Sequence, residues 1–353
     1  MNPCTDCLSI AWLLGEVGGH IETMPPRSRP RGLLTLEPEA MIHLLGGKRS
    51  ASLRKRLSQF DPDAAIDRID AAGLKAACCH SGQFEWPNAL VIDPEPPAVL
   101  HVAGDAGLLA RPSVAVVGAR RADAYGREVA RQLASQLAAA GICVVSGLAL
   151  GIDGAAHRGA LDVERGLTTA VLGGGADRCY PRKHLPIYRE IVDRGCVVSE
   201  MPPGTAVWRW SFPARNRLIA SLSKVVTVVQ AAVGSGSLHT AEAALERSVT
   251  VAAIPGLISN PLSHGTNRLL ADGALVICSP EQLLEQLGLQ RVARSKIVPH
   301  ELRELMQRLE AGPVNPPDAA SRGEAAEFNS RLAQLELLGL ARRMPGGSWV
   351  ASG

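Results

Sequence analysis

Seven short apolar runs, each four or five residues long and separated by helix-length stretches, constrain the fold of this chain more than any other feature. They are Val114–Val117, Ile142–Val145, Thr168–Leu172, Cys196–Ser199, Val225–Val229, Val249–Ala253 and Leu275–Cys278. All are rich in Val and Ile and apolar on both faces, which a strand needs when helices cover both sides of a parallel sheet. Between the first two, Val129, Leu133 and Leu137 recur at helical spacing and Gly141 ends the stretch. That is a βαβ unit, and its repetition predicts an α/β fold: an extended, Rossmann-like, doubly wound and mostly parallel sheet.

The flanks have a different texture. Residues 1–83 carry helical patterning broken by Gly and Pro, which predicts a small helical domain ahead of the sheet domain at 84–288. Two basic clusters there, Arg27–Arg31 and Lys48–Arg56, read either as a DNA-facing surface or as a solvated face. A linker is expected at 289–299. Two helices, His300–Leu309 and Glu324–Leu338, and a hairpin of Leu340–Arg343 with Ser348–Ala351 then predict a winged-helix domain over 300–353.

Composition narrows the function classes. Apolar residues make up 46% and charged residues 20%, a globular balance. Met1–Gly18 is interrupted by Cys4, Asp6, Cys7 and Glu16, so no secretory signal is expected, and no apolar run reaches the length of a membrane span. The eight cysteines are dispersed, three of them inside strand-like runs, which suits a reducing cytoplasm. Cys4-x-x-Cys7 has the spacing of half a zinc site. Adjacent Cys78–Cys79 make a poor other half and no spaced second pair exists, so no metal is expected. A net charge of +3 neither demands nor excludes nucleic acid, and 3% aromatics rule out a broad stacking platform.

Ligands of open α/β sheets bind beyond the carboxyl ends of the strands, so chemistry is sought there. The first run ends in Gly118-Ala119-Arg120-Arg121, where a Gly lets backbone N–H groups approach an anion and Arg120 adds a forked donor; a plain βα turn with a surface Arg fits equally. The absence of Gly-x-Gly-x-x-Gly argues against a dinucleotide cofactor, and no cofactor is expected. The second run leads into Ser146-Gly147 and on to Asp153 and His157, one helical turn apart and able to pair as a structural or an acid–base device. Beyond the third lie Tyr180-Pro181-Arg182-Lys183, and further on Phe212-Pro213-x-Arg215-Asn216-Arg217. Arg215 and Arg217, two apart, cannot share one helical face, which suggests one phosphate contact and one structural pair. Ser235-Gly236-Ser237 opens a helix as a second anion-ready turn; it lacks the Lys of a P-loop, so NTP hydrolysis is not expected. Together these describe a groove that holds a polyanion without cutting it.

Val114–Arg120 with Tyr125-Gly126, Ser146-Gly147-Leu148-Ala149-x-Gly151-Ile152-Asp153-x-x-Ala156-His157, Tyr180-Pro181, Ser199-Glu200, Phe212-Pro213-x-Arg215-Asn216-Arg217, Ser235-Gly236-Ser237-Leu238-x-Thr240 and Pro255-Gly256 resemble, in order and spacing, the DprA/Smf family. The resemblance covers about half the chain, and it extends to Trp86-Pro87, with Trp where Tyr is usual. It implies a non-enzymatic, homodimeric, cytoplasmic protein that binds single-stranded DNA and loads the RecA recombinase onto incoming DNA during natural transformation. It also implies a SAM-like N-terminal domain and a winged-helix C-terminal one. DNA contacts carry over first to Arg120 and Arg182, then to Gly118, Lys183, Ser146, Gly147, Arg215, Asn216, Arg217, Ser235, Gly236 and Ser237. Ala119 stands for a usual Ser, Gln230 for Glu and His239 for Ile, and none of these removes a cation.

Two other readings compete. A phosphoribohydrolase of the LOG type shares the Gly-rich loop, but its catalytic Glu position falls on Thr240. A double-stranded-DNA regulator would use the helix Glu324–Leu338, whose single Arg331 is outnumbered by Glu324, Glu327 and Glu336.

Overall fold

In the computed structural model, residues 1–25, 32–288, 302–315, 322–337, 340–344 and 347–351 are described. The basic cluster Arg27–Arg31 and the expected linker therefore lie outside the described residues. The chain divides into Met1–Leu289 and Gln290–Gly353.

The first unit opens with α1 (Thr5–Thr23), α2 (Pro38–Leu45), α3 (Ser50–Leu57) and α4 (Pro62–Ala71), followed by β1 (Lys75–Ala77), α5 (Asn88–Val91) and β2 (Leu100–Gly104). Then come β3 (Ser113–Val117), α6 (Ala124–Ala139), β4 (Cys143–Ser146), α7 (Ile152–Leu161), β5 (Thr168–Val171), α8 (Leu185–Arg194) and β6 (Cys196–Ser199). The unit closes with α9 (Ser211–Ser221), β7 (Val225–Val228), α10 (Gly236–Glu246), β8 (Thr250–Ala253), α11 (His264–Ala271), β9 (Leu275–Val276) and α12 (Pro280–Gln286). All seven expected strands are present. They form the parallel part of a nine-stranded sheet ordered β1-β2-β6-β5-β4-β3-β7-β8-β9, with β1–β2 and β2–β6 antiparallel.

Alternation along β3 shows why both faces had to be apolar. Val114 and Val116 pack with Leu133 and Leu137 of α6 and with Ala156 of α7, while Ala115 and Val117 face Leu218 and Ile219 of α9 and Ala244 of α10. β1 and β2 were not anticipated, and they move the helical segment into the sheet domain's company. The expected boundary at residue 83 falls inside one compact unit, because β1 pairs with β2 from Lys75↔Val102 to Ala77↔Leu100. Of the second basic cluster, Arg54 pairs with Glu39 and Arg56 with Glu16, while Arg49 donates to the Glu16 carbonyl; these residues fasten α1, α2 and α3 to one another.

The second unit contains α13 (Arg303–Ala311), α14 (Arg322–Leu337) and a hairpin of β10 (Ala341–Arg343) and β11 (Trp349–Ala351). Its core gathers Leu302, Leu305, Leu309, Leu332, Leu335 and Trp349. Among the described residues it has the two expected helices and the hairpin, but not the three-helix set of a full winged helix.

Two histidines are fully buried in the sheet unit. His157 of α7 meets Thr168, whose hydroxyl donates to the Val144 carbonyl at 2.7 Å. Hydrogen accounting therefore places the His157 proton on Nδ1, donating to Thr168. Its Nε2 and the Nδ1 of His101 have no partner among the described residues. Burial holds His157 at about 3, helped by His184 and Arg215, and burial holds His101 at about 4. Both lie below the ordinary 6.5, so as pH falls below 6.5 the unfolded chain takes up protons that the folded chain refuses. Stability should therefore fall by roughly 1.4 kcal/mol per pH unit for each histidine between pH 6.5 and their folded values. Thermal unfolding followed across that window should show the loss, with a shallower slope for His157→Gln. Parallel slopes for the two proteins would dismiss the assignment.

Candidate nucleic-acid interface

From β3 the chain steps through β4, β5 and β6 on one side, then returns to place β7 on the other. At such a reversal, the loops after the central strands diverge and leave a crevice. Here it has a volume of about 540 Å³ and is lined by the β3–α6 turn (Gly118 to Arg121), Asp153 of α7, Phe212, Arg215 and Asn216 of α9, and the start of α10.

Glycines bring the turns close. Gly151 has φ +81° and ψ −122°, and a Cβ there would lie 2.2 Å from the Ala119 carbonyl oxygen and 2.7 Å from that of Arg120. The adjacent Ile152 N–H donates to Ala119 O at 3.3 Å, so the β4–α7 loop supports the turn that carries Arg120. Gly118 is needed for a similar reason: a Cβ would meet Ile152 Cγ1 at 2.6 Å and Gln230 O at 2.8 Å.

Arg120 is exposed, and its guanidinium sits 4.4 Å from the centre of the Phe212 ring. Phe212 in turn lies 5.7 Å from Tyr180, which is half exposed beside its cis bond to Pro181. Arg182 and Lys183 follow on an exposed turn before α8. They do not line the crevice; the Tyr180–Phe212 contact connects their turn to it. Among the described residues Arg120, Arg182 and Lys183 make no salt bridge, although the Arg120 charge favours the ionised form of Asp153, so their donors are available to a phosphate.

Arg215 is different. It lines the crevice but is buried: Nη1 donates to the Val171 carbonyl, and Nε has no partner among the described residues. Burial lowers its guanidinium to about 10, opposed by the charge of Asp153. Burial raises the Asp153 carboxyl, opposed by Arg215 and by the N–H groups of Ala149 and Gly147. Arg215 thus supplies positive charge to the crevice floor, not a free fork. Across from it, Ser235 and Ser237 hydroxyls lie 2.9 Å apart at the start of α10, and Asn216 Nδ2 holds the Gly236 carbonyl at 3.2 Å. The first N–H groups of α10 lack intrahelical acceptors and form the positive end of its dipole.

Three expected contacts are corrected by this geometry. Ser146 is wholly buried, its hydroxyl donating to Val116 O at 2.7 Å. Gly147 gives its N–H to Asp153 at 3.1 Å, and a Cβ there would collide with Arg215 Nη1 at 2.1 Å; it makes room for the arginine, and its N–H is already taken. Arg217 points into the protein and pairs with Glu200 at 2.5 Å, both about 5% exposed. The divergence expected of Arg215 and Arg217 thus resolves as crevice floor and internal pair. Asp153 and His157 do not bond each other, since backbone N–H groups and Thr168 respectively take them. Sequence reasoning also missed the roles of Tyr180 and Phe212. Both stood in quoted motifs, but their partnership with Arg120 joins segments about thirty residues and more apart.

The family profile for DNA recombination-mediator protein A matches residues 77–288, well over half the chain. The chain belongs to the DprA/Smf family. Among curated relatives of that family, protein Smf of Escherichia coli is 37% identical over 74% of this chain and 74% of its own length. DNA processing protein DprA of Bacillus subtilis is 37% identical over 68% of this chain and 80% of its own. The DprA crystal structure from Streptococcus pneumoniae superposes with a TM-score of 0.65 at 30% identity, covering 80% of this chain and 98% of that one. DNA processing protein A of Helicobacter pylori, described for its single-stranded DNA binding mode, gives 0.54 at 34% identity over 58% of this chain and 93% of that one. Among the described residues of this DprA/Smf member, no helix is long and apolar enough to cross a membrane.

Proposed function

We propose that this DprA/Smf chain is a cytoplasmic, non-catalytic, homodimeric protein that holds single-stranded DNA in the β3/β7 crevice and along the Tyr180–Lys183 turn. In this role it protects incoming DNA and loads RecA onto it during natural transformation. One observation carries the reading: the exposed Arg120 guanidinium, in no salt bridge among the described residues, lies over Phe212, itself against a half-exposed Tyr180, beside the positive end of α10. Cations track a phosphate backbone, while an exposed ring accepts any base face, which is the combination that sequence-tolerant binding of single strands needs. The binding mode described for the Helicobacter pylori relative supports the same ligand. The carboxylate in the crevice, Asp153, is taken up by two backbone N–H groups and faces Arg215, an arrangement suited to holding the loop and not to proton transfer. At the position where a phosphoribohydrolase needs Glu stands Thr240, 2% exposed.

A fluorescent oligonucleotide, single- or double-stranded, titrated across a salt series tests the ligand. Single strands should bind clearly better. Arg120→Ala/Arg182→Ala should lose on the order of tenfold in affinity per arginine, about 1.4 kcal/mol each. Its log–log salt slope should be shallower by roughly 1.4, or 0.7 for each phosphate left without its arginine. Equal binding of both strand forms, or an unchanged double variant, would remove the crevice as the site. Filament assembly by RecA on protein-coated single strands, with and without this chain, tests the loading role separately.

A further inference from the structure

The fold draws together residues that the sequence keeps far apart. Cys4 caps the N-terminus of α1 and Cys7 lies in its first turn. Beyond β1 the chain doubles back in a tight hairpin: Cys78 N–H donates to Ser81 O at 2.8 Å, Gln83 N–H donates to Ala76 O at 2.9 Å, and Ala77 pairs with Gly82. Gly82 permits this approach, since a Cβ would fall 2.2 Å from that of Ala77. The hairpin sets Cys78 and His80 against the start of α1. Sγ of Cys4, Cys7 and Cys78 and a ring nitrogen of His80 all lie within 4.8 Å of one another.

We propose that Cys4, Cys7, Cys78 and His80 form a tetrahedral zinc site of three thiolates and one imidazole. Zinc–sulfur bonds near 2.3 Å and zinc–nitrogen bonds near 2.0 Å require tetrahedron edges of roughly 3.8 Å between sulfurs and roughly 3.6 Å between sulfur and nitrogen. Cys4 and Cys78 sulfurs are 3.8 Å apart, and His80 Nδ1 lies 3.4 Å from Cys4 Sγ and 3.5 Å from Cys7 Sγ. Two thiols meeting one ring nitrogen would have to share a single weak hydrogen-bonding position, whereas a metal ion satisfies all four groups at once. All these cysteines are free, and the Cys4–Cys78 separation is far beyond the roughly 2.05 Å of a disulfide. The Cys4 N–H also aims at Cys78 Sγ from 3.4 Å, a donor that steadies a thiolate ligand. Cys7 and Cys78 are buried and His80 is exposed, so one side stays accessible for metal entry.

The expectation of no metal rested on the lack of a spaced second cysteine pair. The second half is instead Cys-x-His, with the exposed Cys79 outside the set. The site crosslinks α1 to the β1 hairpin at the edge of the sheet, five strands from β3. It therefore serves to hold the N-terminal helices on the sheet, and it takes up zinc with release of the thiol protons.

Metal content and cobalt(II) spectra of the full-length, untagged protein, purified under reducing conditions, test the proposal. One zinc per chain is expected. Cobalt(II) should give the sulfur-to-metal charge-transfer and intense visible bands of a tetrahedral thiolate site. Cys78→Ser and the exposed His80→Ala should abolish stoichiometric zinc and change the cobalt spectrum, with Cys79→Ala retaining both. Chelation should lower the Tm of wild type and leave that of His80→Ala unmoved. A folded protein that takes up neither zinc nor cobalt, a Cys4–Cys78 disulfide in its place, or zinc retained by both Cys78→Ser and His80→Ala would overturn the site. Loss of zinc in Cys79→Ala with retention in His80→Ala would overturn the donor set. None of these readouts depends on DNA binding.

Discussion

Arg217→Ala should destabilise the folded chain by about 3–5 kcal/mol while leaving every DNA-facing group in place. Arg217 and Glu200 are each about 5% exposed and joined at 2.5 Å, so truncating the arginine leaves a carboxylate buried without its counter-ion. Burial already raises the Glu200 carboxyl, and Arg217 is the main opposing influence. Without it the group must take up a proton or draw water into the sheet. Tm should drop by roughly ten degrees for a unit of this size. The double variant Glu200→Gln/Arg217→Met should recover much of the loss, because removing both charges also removes the desolvation penalty. The decisive comparison is DNA binding by that double variant. If Arg217 serves only inside the protein, affinity and salt slope match wild type. A shallower slope would return Arg217 to the interface.

Gly151→Ala should damage stability and binding together, by about 2–4 kcal/mol of stability and at least tenfold in affinity. Its φ and ψ suit glycine alone, and a methyl group would lie 2.2 Å from the Ala119 carbonyl oxygen. The loop can relieve that clash only by pushing away the turn that presents Arg120, the residue on which the interface most depends. Gly141→Ala is the control. It also has positive φ, at +80°, but a Cβ there meets nothing. It should lose stability alone, with single-strand affinity intact. Loss of affinity in both variants, in proportion to stability, would show that any weakening of the fold releases DNA.

The seven parallel strands could be read from the sequence because helices covering both faces favour Val, Ile and Ala at most positions, with small Ser and Thr such as Thr169 and Thr227 as the polar exceptions. Where that pressure relaxes, the signal fades. β2 carries His101 in mid-strand, and β1 is three residues of Lys and Ala, so neither shows the Val and Ile richness of the centre. The glycines and arginines of the site could also be read, since turns and phosphates need those residue types. Which arginine faces out could not, because that depends on Glu200, which the fold delivers from the end of β6. Likewise Cys4-x-x-Cys7 announced half of a cluster, but its partners come from a hairpin seventy-odd residues later and include a histidine where a cysteine was sought.

The position of β7 has a consequence for synthesis. β3 is buried along its whole length, with β4 on one side and β7 on the other, yet β7 is translated about a hundred residues after β3. While β4, β5 and β6 emerge and pair in turn, one flank of β3 remains an open row of N–H and C=O groups beside apolar side chains, the kind of edge that recruits other chains. The same strand that later covers it leads into α10 and brings that helix's start to the crevice. A growing polypeptide thus covers this flank of β3 and acquires the α10 wall of its ligand site in one event, while the open edge passes outward to β7 until β8 pairs with it.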